Sequence, residues 1–95
     1  GLWRGRALAE FAFDDFAQAE IHRLEDLRLV ALEDQADALL QLGRNTEVVA
    51  GLAELVAVNP MRERLRASLM LALYRTGRQA DALQVYRDGR RMLTS

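Results

Sequence analysis

The sequence predicts an all-α fold, a right-handed stack of antiparallel helical hairpins, and three observations carry that expectation. Long stretches rich in Ala, Leu, Glu and Arg contain neither Gly nor Pro. Apolar residues recur along them at helical spacing. Gly43 and Gly77 stand just past two such stretches, where a left-handed residue ends a helix.

The first helix is expected over Ala17–Leu42, after Asp14 and Asp15, with Asp15 and Gln18 resembling a capping box. At about 100° per residue, Leu24, Leu27, Ala31, Ala38 and Leu42 form one apolar stripe. Ile21, Leu29, Leu32, Ala36, Leu39 and Leu40 form a second beside it, so this helix should be packed on two sides. Gly43 then serves as the left-handed terminator and Asn45 as cap of a second helix running to about Val58. Asn59 as N-cap and Pro60 as first helical residue would open a third helix, Pro60 to about Thr76, closed by Gly77. The fourth, from about Gln79 to Leu93, should turn Ala82, Val85, Tyr86, Gly89 and Met92 inward and keep Asp81, Gln84, Asp88 and Arg91 outward.

Setting Gly43 over Gly77 reveals an internal repeat and brings Leu39 over Leu73, Arg44 over Arg78, Glu47 over Asp81, Val48 over Ala82 and Leu52 over Tyr86. The spacing of these pairs matches the tetratricopeptide period of about 34 residues for a helix-turn-helix unit, so the stack is read as tetratricopeptide-like. The expected organisation is one domain over residues 1–95, itself a partial one, with repeat units at about 29–62 and 63–95. Leu39, Leu52, Leu73, Ala82 and Tyr86 are the expected core. Gly51 and Gly89, inside their helices, each cost about 1 kcal/mol against Ala and therefore call for a close neighbour.

Composition excludes several function classes. The net charge is −1, too little for sequence-independent nucleic-acid binding by the whole chain. The charge is unevenly spread: residues 1–59 hold 11 acidic residues against 5 arginines, and residues 60–95 hold 3 against 8. With no cysteine, disulfides, thiolate nucleophiles and Cys-based metal sites are out, which fits a reducing cytoplasm. No apolar run is long enough to cross a membrane, and no secretory signal is visible. No cofactor is expected and no catalytic motif is visible, since there is no G-x-S-x-G, no P-loop and no lysine.

His22 is the single imidazole and is read as an exposed helix residue rather than a ligand. Glu33, Asp34 and Asp37 fall on the arc left free by both apolar stripes and are read as a solvated face. Glu25 and Arg28 project within the apolar arc three residues apart, which suggests a structural ion pair, one that could bridge helices. The candidate partner-contact residues are Arg62, Arg64, Arg66, Arg75, Arg78, Arg87, Arg90 and Arg91, weighed against a merely solvated basic surface. They spread round two helices, and no aromatic residues alternate with them as single-strand binding would need.

Leu2-Trp3-Arg4-Gly5-Arg6-Ala7-Leu8, the long helix around Leu24-Glu25-Asp26-Leu27-Arg28, Leu42-Gly43-Arg44, Asn59-Pro60-Met61-Arg62-Glu63-Arg64-Leu65-Arg66 and Leu69-Met70-Leu71-Ala72-Leu73-Tyr74-Arg75-Thr76-Gly77-Arg78-Gln79 occur in that order, followed by Ala82-Leu83 and Tyr86. Together they resemble the bacterial transcriptional activator domain of SARP, AfsR-like and EmbR-like regulators. The resemblance implies a non-catalytic module that contacts itself, neighbouring domains or RNA polymerase, while a separate winged-helix domain reads promoter DNA. Members of that family usually have further helices before the Trp-Arg-Gly stretch, so Leu2 and Trp3 are expected at the tail of a helix that continued upstream. Trp3 is expected to bury its indole against the long helix or a second copy. The competing reading is a general tetratricopeptide scaffold or adaptor that binds a peptide or partner protein; a sensor arm on an ATPase or cyclase is a third. The Lys and Asn residues of a carboxylate clamp are missing from the A helices, which counts against chaperone-tail binding.

Overall fold

In the computed structural model, the backbone is described for residues 2–94 and the side chains for residues 14–93. The fold is all-α and tetratricopeptide-like: α1 spans Leu2–Gln41, α2 Asn45–Val58, α3 Glu63–Arg75 and α4 Gln79–Thr94, with no strand among the described residues. The chain divides into two compact units, Gly1–Ala31 and Leu32–Ser95.

α1 is longer than expected. Helix runs unbroken through Asp14, Asp15 and Gln18, so these residues lie inside it and no capping box starts it at Ala17. Propensity explains the extension, because Ala, Leu, Glu and Arg dominate residues 2–16 as well and no proline interrupts them. In the first unit, Arg23 donates to both oxygens of Glu20 at 3.1 and 2.5 Å, which holds the Glu20 carboxyl below its ordinary pKa. Leu24 and Leu27 of the first apolar stripe are exposed there, as are Phe16, Ile21 and Val30. The side chain of Trp3 lies outside the described residues.

The second unit is built on two identical turns. Gly43 and Gly77 have φ of +76° and +80°, the left-handed conformation that glycine adopts without a Cβ penalty. At the first turn Gly43 N–H donates to Leu40 O and Arg44 N–H to Leu39 O, at 3.1 and 2.9 Å. At the second, Gly77 donates to Tyr74 O and Arg78 to Leu73 O, at 3.1 and 2.8 Å. This pair of bonds is the Schellman motif, and it satisfies carbonyls that a helix end otherwise leaves open. Each turn also opens the next helix in the same way. Arg44 and Arg78 accept the first helical bonds from Val48 and Ala82 and pair with Glu47 and Asp81, at 3.5 and 2.9 Å.

The connection between α2 and α3 departs from expectation. Asn59 closes α2 rather than opening α3: its backbone N–H and its Nδ2 both donate to Leu55 O, at 2.9 and 3.0 Å. Arg62 N–H then reaches back to Asn59 O at 3.1 Å, which makes Pro60 the second residue of a β-turn, a position its fixed φ favours. α3 therefore starts at Glu63, and Arg62, not Asn59, holds the N-cap position. Likewise Asn45 begins α2 without capping it; Arg44 takes that position, and Asn45 Oδ1 is buried with no partner.

α3 packs against both α2 and α4 and carries the densest part of the core: Leu65, Ser68, Leu69, Ala72 and Leu73 are buried. Ala36, Leu40, Val48, Leu52 and Ala82 join it. Of the expected core, Leu52, Leu73 and Ala82 are buried and Leu39 is half-buried, but Tyr86 is 45% exposed. Tyr86 and the exposed Met92 lie at the two margins of the α4 face that turns Ala82, Val85 and Gly89 inward, so α3 covers neither fully. The two helix-interior glycines also differ. A Cβ at Gly89 would sit 2.5 Å from Arg66 Cδ, whereas one at Gly51 would meet nothing within 4 Å, so the close approach expected at Gly51 is absent.

Gly51→Ala should therefore raise stability by about 1 kcal/mol in urea denaturation, by propensity alone. Gly43→Ala and Gly77→Ala should each lower it by roughly 1–2 kcal/mol, the cost of a Cβ in the left-handed region. Leu73→Ala should cost roughly 2–5 kcal/mol, since its side chain is buried among neighbours that cannot all close the gap.

Candidate functional site

The eight arginines after Pro60 do not form one surface. Arg62 and Arg64, at the start of α3, face the last turns of α1, where Glu33, Asp34 and Asp37 stand. Arg64 Nη2 lies 2.7 Å from Asp34 and 2.5 Å from Asp37, and these two carboxylates, Asp37 foremost, raise the Arg64 pKa further above its usual value. Glu33 lies 3.8 Å from Arg62 and 3.9 Å from Arg64 and is only 6% exposed. The solvated-face reading of this acidic run is thus corrected for Glu33. Little more than one turn of helix carries acids at 33, 34 and 37 on one side, and that side meets arginines spaced two apart at the entrance to α3.

Arg66 lies against α4 at Gly89 and donates from Nη1 to Pro60 O at 2.9 Å. Arg75 donates to Leu40 O at 3.1 Å, bonding a carbonyl in the last turn of α1. Arg78 pairs with Asp81 and Arg91 with Asp88, at 2.9 and 2.7 Å, both within α4's own turns. Arg87 and Arg90 are exposed, and Arg87 makes no ion pair with the described residues. Glu25 and Arg28 do pair, at 3.8 Å, but within α1 and both exposed, where an isolated pair contributes little. His22 is exposed. The described residues contain no cluster of three or more His, Cys, Asp or Glu able to hold a metal ion. Among them no helix is long and apolar enough to cross a membrane.

Two apolar features were not singled out in the sequence. A groove of about 450 Å³ runs between α2 and α4 over the start of α3, with Val56, Pro60, Leu69, Val85 and Met92 in its walls and Arg66 at its edge. The other is an exposed face formed by Leu71 and Tyr74 of α3 and by Leu83, Tyr86 and Leu93 of α4. On α4 Leu83, Tyr86 and Leu93 fall on one side at helical spacing, with Arg90 among them, beside the stripe that α3 covers. That spacing was readable. Its exposure was not, because Tyr86 sits in both patterns.

The bacterial transcriptional activator domain family matches residues 1–95. The regulatory protein AfsR of Streptomyces griseus is 50% identical over 93 residues, covering 98% of this chain but 9% of that protein. The transcriptional regulator RedD of Streptomyces coelicolor is 42% identical, with 97% of this chain and 26% of that protein covered. The regulatory protein DnrI of Streptomyces peucetius is 38% identical, with 99% and 35% covered. The chain thus spans only about a third of these relatives' length or less. No solved structure matches it.

Arg64→Ala should lower the thermal midpoint, and the loss should shrink in high salt, because it removes a cation held between two partly exposed carboxylates. Arg87→Ala should leave the midpoint unchanged under the same conditions.

Proposed function

Because this chain belongs to the bacterial transcriptional activator domain family, we propose that it is the non-catalytic protein-contact module of a transcriptional activator, touching itself, neighbouring domains or RNA polymerase. A separate winged-helix domain would bind the promoter, and the regulator would act in the cytoplasm, without a cofactor. The observation that carries this reading is the open face of α3 and α4, where Leu71, Tyr74, Leu83 and Tyr86 are exposed beside Arg87 and Arg90. Apolar and aromatic side chains gathered on one surface with a charged rim are the usual composition of a protein-binding patch. Most of the arginines from Arg62 to Arg91 instead hold the helices together or pair within a turn, so the direct contribution to a partner is assigned to the rim. The single-domain extent 1–95 and its division into units at about 29–62 and 63–95 belong to the same proposal.

Reading a specific promoter needs side chains placed against base edges in a groove, and an isolated helical stack with a net charge of −1 has little to offer there. The isolated chain should bind promoter and scrambled DNA equally weakly in a mobility-shift assay at matched salt; tight, promoter-selective binding would overturn the assignment. In the intact regulator, Tyr74→Asp with Tyr86→Asp should abolish reporter activation and leave operator binding measurable. Activation at the unaltered level would refute the role of this face.

A further inference from the structure

We infer that the groove between α2 and α4 is a binding site for a small amphiphilic monocarboxylate, whose carboxylate pairs with Arg66 while its alkyl chain lies among the apolar side chains. The groove holds about 450 Å³, within the range of roughly 300–1,000 Å³ usual for small-molecule pockets. Every described residue that lines it belongs to α2, α3, α4 or the turn at Pro60, so the site is formed within the second unit. It shares no residue with the open face of α3 and α4, and the inference therefore goes beyond the protein-contact reading and stands apart from it.

Arg66 gives the site its charge preference. Its side chain is half-buried, its one hydrogen bond runs from Nη1 to Pro60 O at 2.9 Å, and it makes no ion pair with the described residues. A guanidinium carries five N–H donors in a fork, so most of them remain for a carboxylate. Gly89 keeps the cation at the groove: a Cβ there would stand 2.6 Å from Arg66 Cζ, and without one the side chain lies against α4. Asp88 is the one carboxylate in the described lining, and Gln84 and Arg91 already hold it, at 2.9 and 2.7 Å. What is left over is a single positive charge beside an apolar surface, which suits one negative charge rather than the two of a phosphate monoester. The remaining lining decides what carries that charge. Val56, Pro60, Leu69, Val85 and Met92 offer alkyl and thioether surface, and the unbranched Met92 can follow the shape of a ligand. An extended peptide would bring backbone N–H and C=O groups that the helical walls, bonded within themselves, cannot answer. A helical segment satisfies its own backbone, yet at roughly 10 Å across and about 5.4 Å per turn a single turn fills about this volume. An alkyl chain meets neither obstacle, and its burial gives affinity in proportion to the apolar area removed from water.

Isothermal titration calorimetry of the chain should show octanoate binding saturably at one site, about tenfold or more tightly than octanol, acetate or octyltrimethylammonium. Arg66→Gln should weaken octanoate about tenfold, through loss of the charge-assisted pair, and leave octanol within about twofold. Arg66→Lys, which keeps the charge without the fork, should restore part of that loss. Ala57→Trp, at an exposed position in the lining, should fill the groove and weaken octanoate and octanol alike. Unchanged helical circular dichroism is expected; if Arg66→Gln loses helicity with its bond to Pro60 O, Ala57→Trp and the comparison of octanoate with octanol carry the test. No saturable binding at millimolar octanoate, octanol binding as tightly as octanoate, or affinity indifferent to both Arg66→Gln and Ala57→Trp would overturn the inference. Tighter binding of a glutamate-rich apolar peptide, blocked by Ala57→Trp, would overturn it as well, by making the occupant a protein segment. None of these outcomes bears on the open face of α3 and α4, which reporter activation judges.

Discussion

The burial of α3 is the constraint on which the second unit depends. It is the one helix of that unit recorded against α2, against α4 and, through Arg64, against the end of α1. Leu65 and Ala72 have no exposed surface, and Ser68 is buried between them on the helix. Alanine and serine at 72 and 68 let neighbouring helices approach, while Leu65, Leu69 and Leu73 fill the space beside them, an alternation of small and large residues that supports close packing. Apolar burial of this kind supplies most of the stability available to so short a chain.

Electrostatics refines that arrangement rather than creating it. The chain's opposite poles, acidic before Asn59 and basic after it, meet inside the second unit where Glu33, Asp34 and Asp37 receive Arg62 and Arg64. Glu33 is nearly buried, and a buried carboxylate is tolerated only with cations at hand, so the pairing selects one placement of α3 on α1 over others that apolar contact alone would allow. Gly89 leaves room for the Arg66 side chain, which bonds Pro60 O. Several charges are thereby committed to the fold, while Leu71, Tyr74, Leu83 and Tyr86 stay exposed on α3 and α4.

The exposed face of α3 and α4 thus stands apart from the charges that the fold commits to its own joints. The family to which the chain belongs includes regulators several times its length. Tyrosines suit such a face, since a ring buries large apolar area on contact while its hydroxyl tolerates water beforehand. Tyr74 and Tyr86 stand where the preceding positions of the same register, Leu40 and Leu52, carry side chains that are never exposed to that extent.

Helix identity, both glycine turns and the resemblance to the family were legible in the sequence because each depends on local chemistry. Propensity, helical periodicity and the left-handed conformation open to Gly43 and Gly77 act over a few residues and leave their trace in order along the chain. Helix limits were less legible: Asn59 and Pro60 suit a helix start and a β-turn equally, and only the bonds to Leu55 O and from Arg62 decide for the turn. The tertiary structure alone decided what faces what. Periodicity placed Glu33 on a polar arc, but its burial depends on Arg62 and Arg64, two helices further along the chain. Periodicity likewise put Tyr86 with the core, whereas its exposure depends on whether another helix covers α4, a fact of packing that no local pattern encodes.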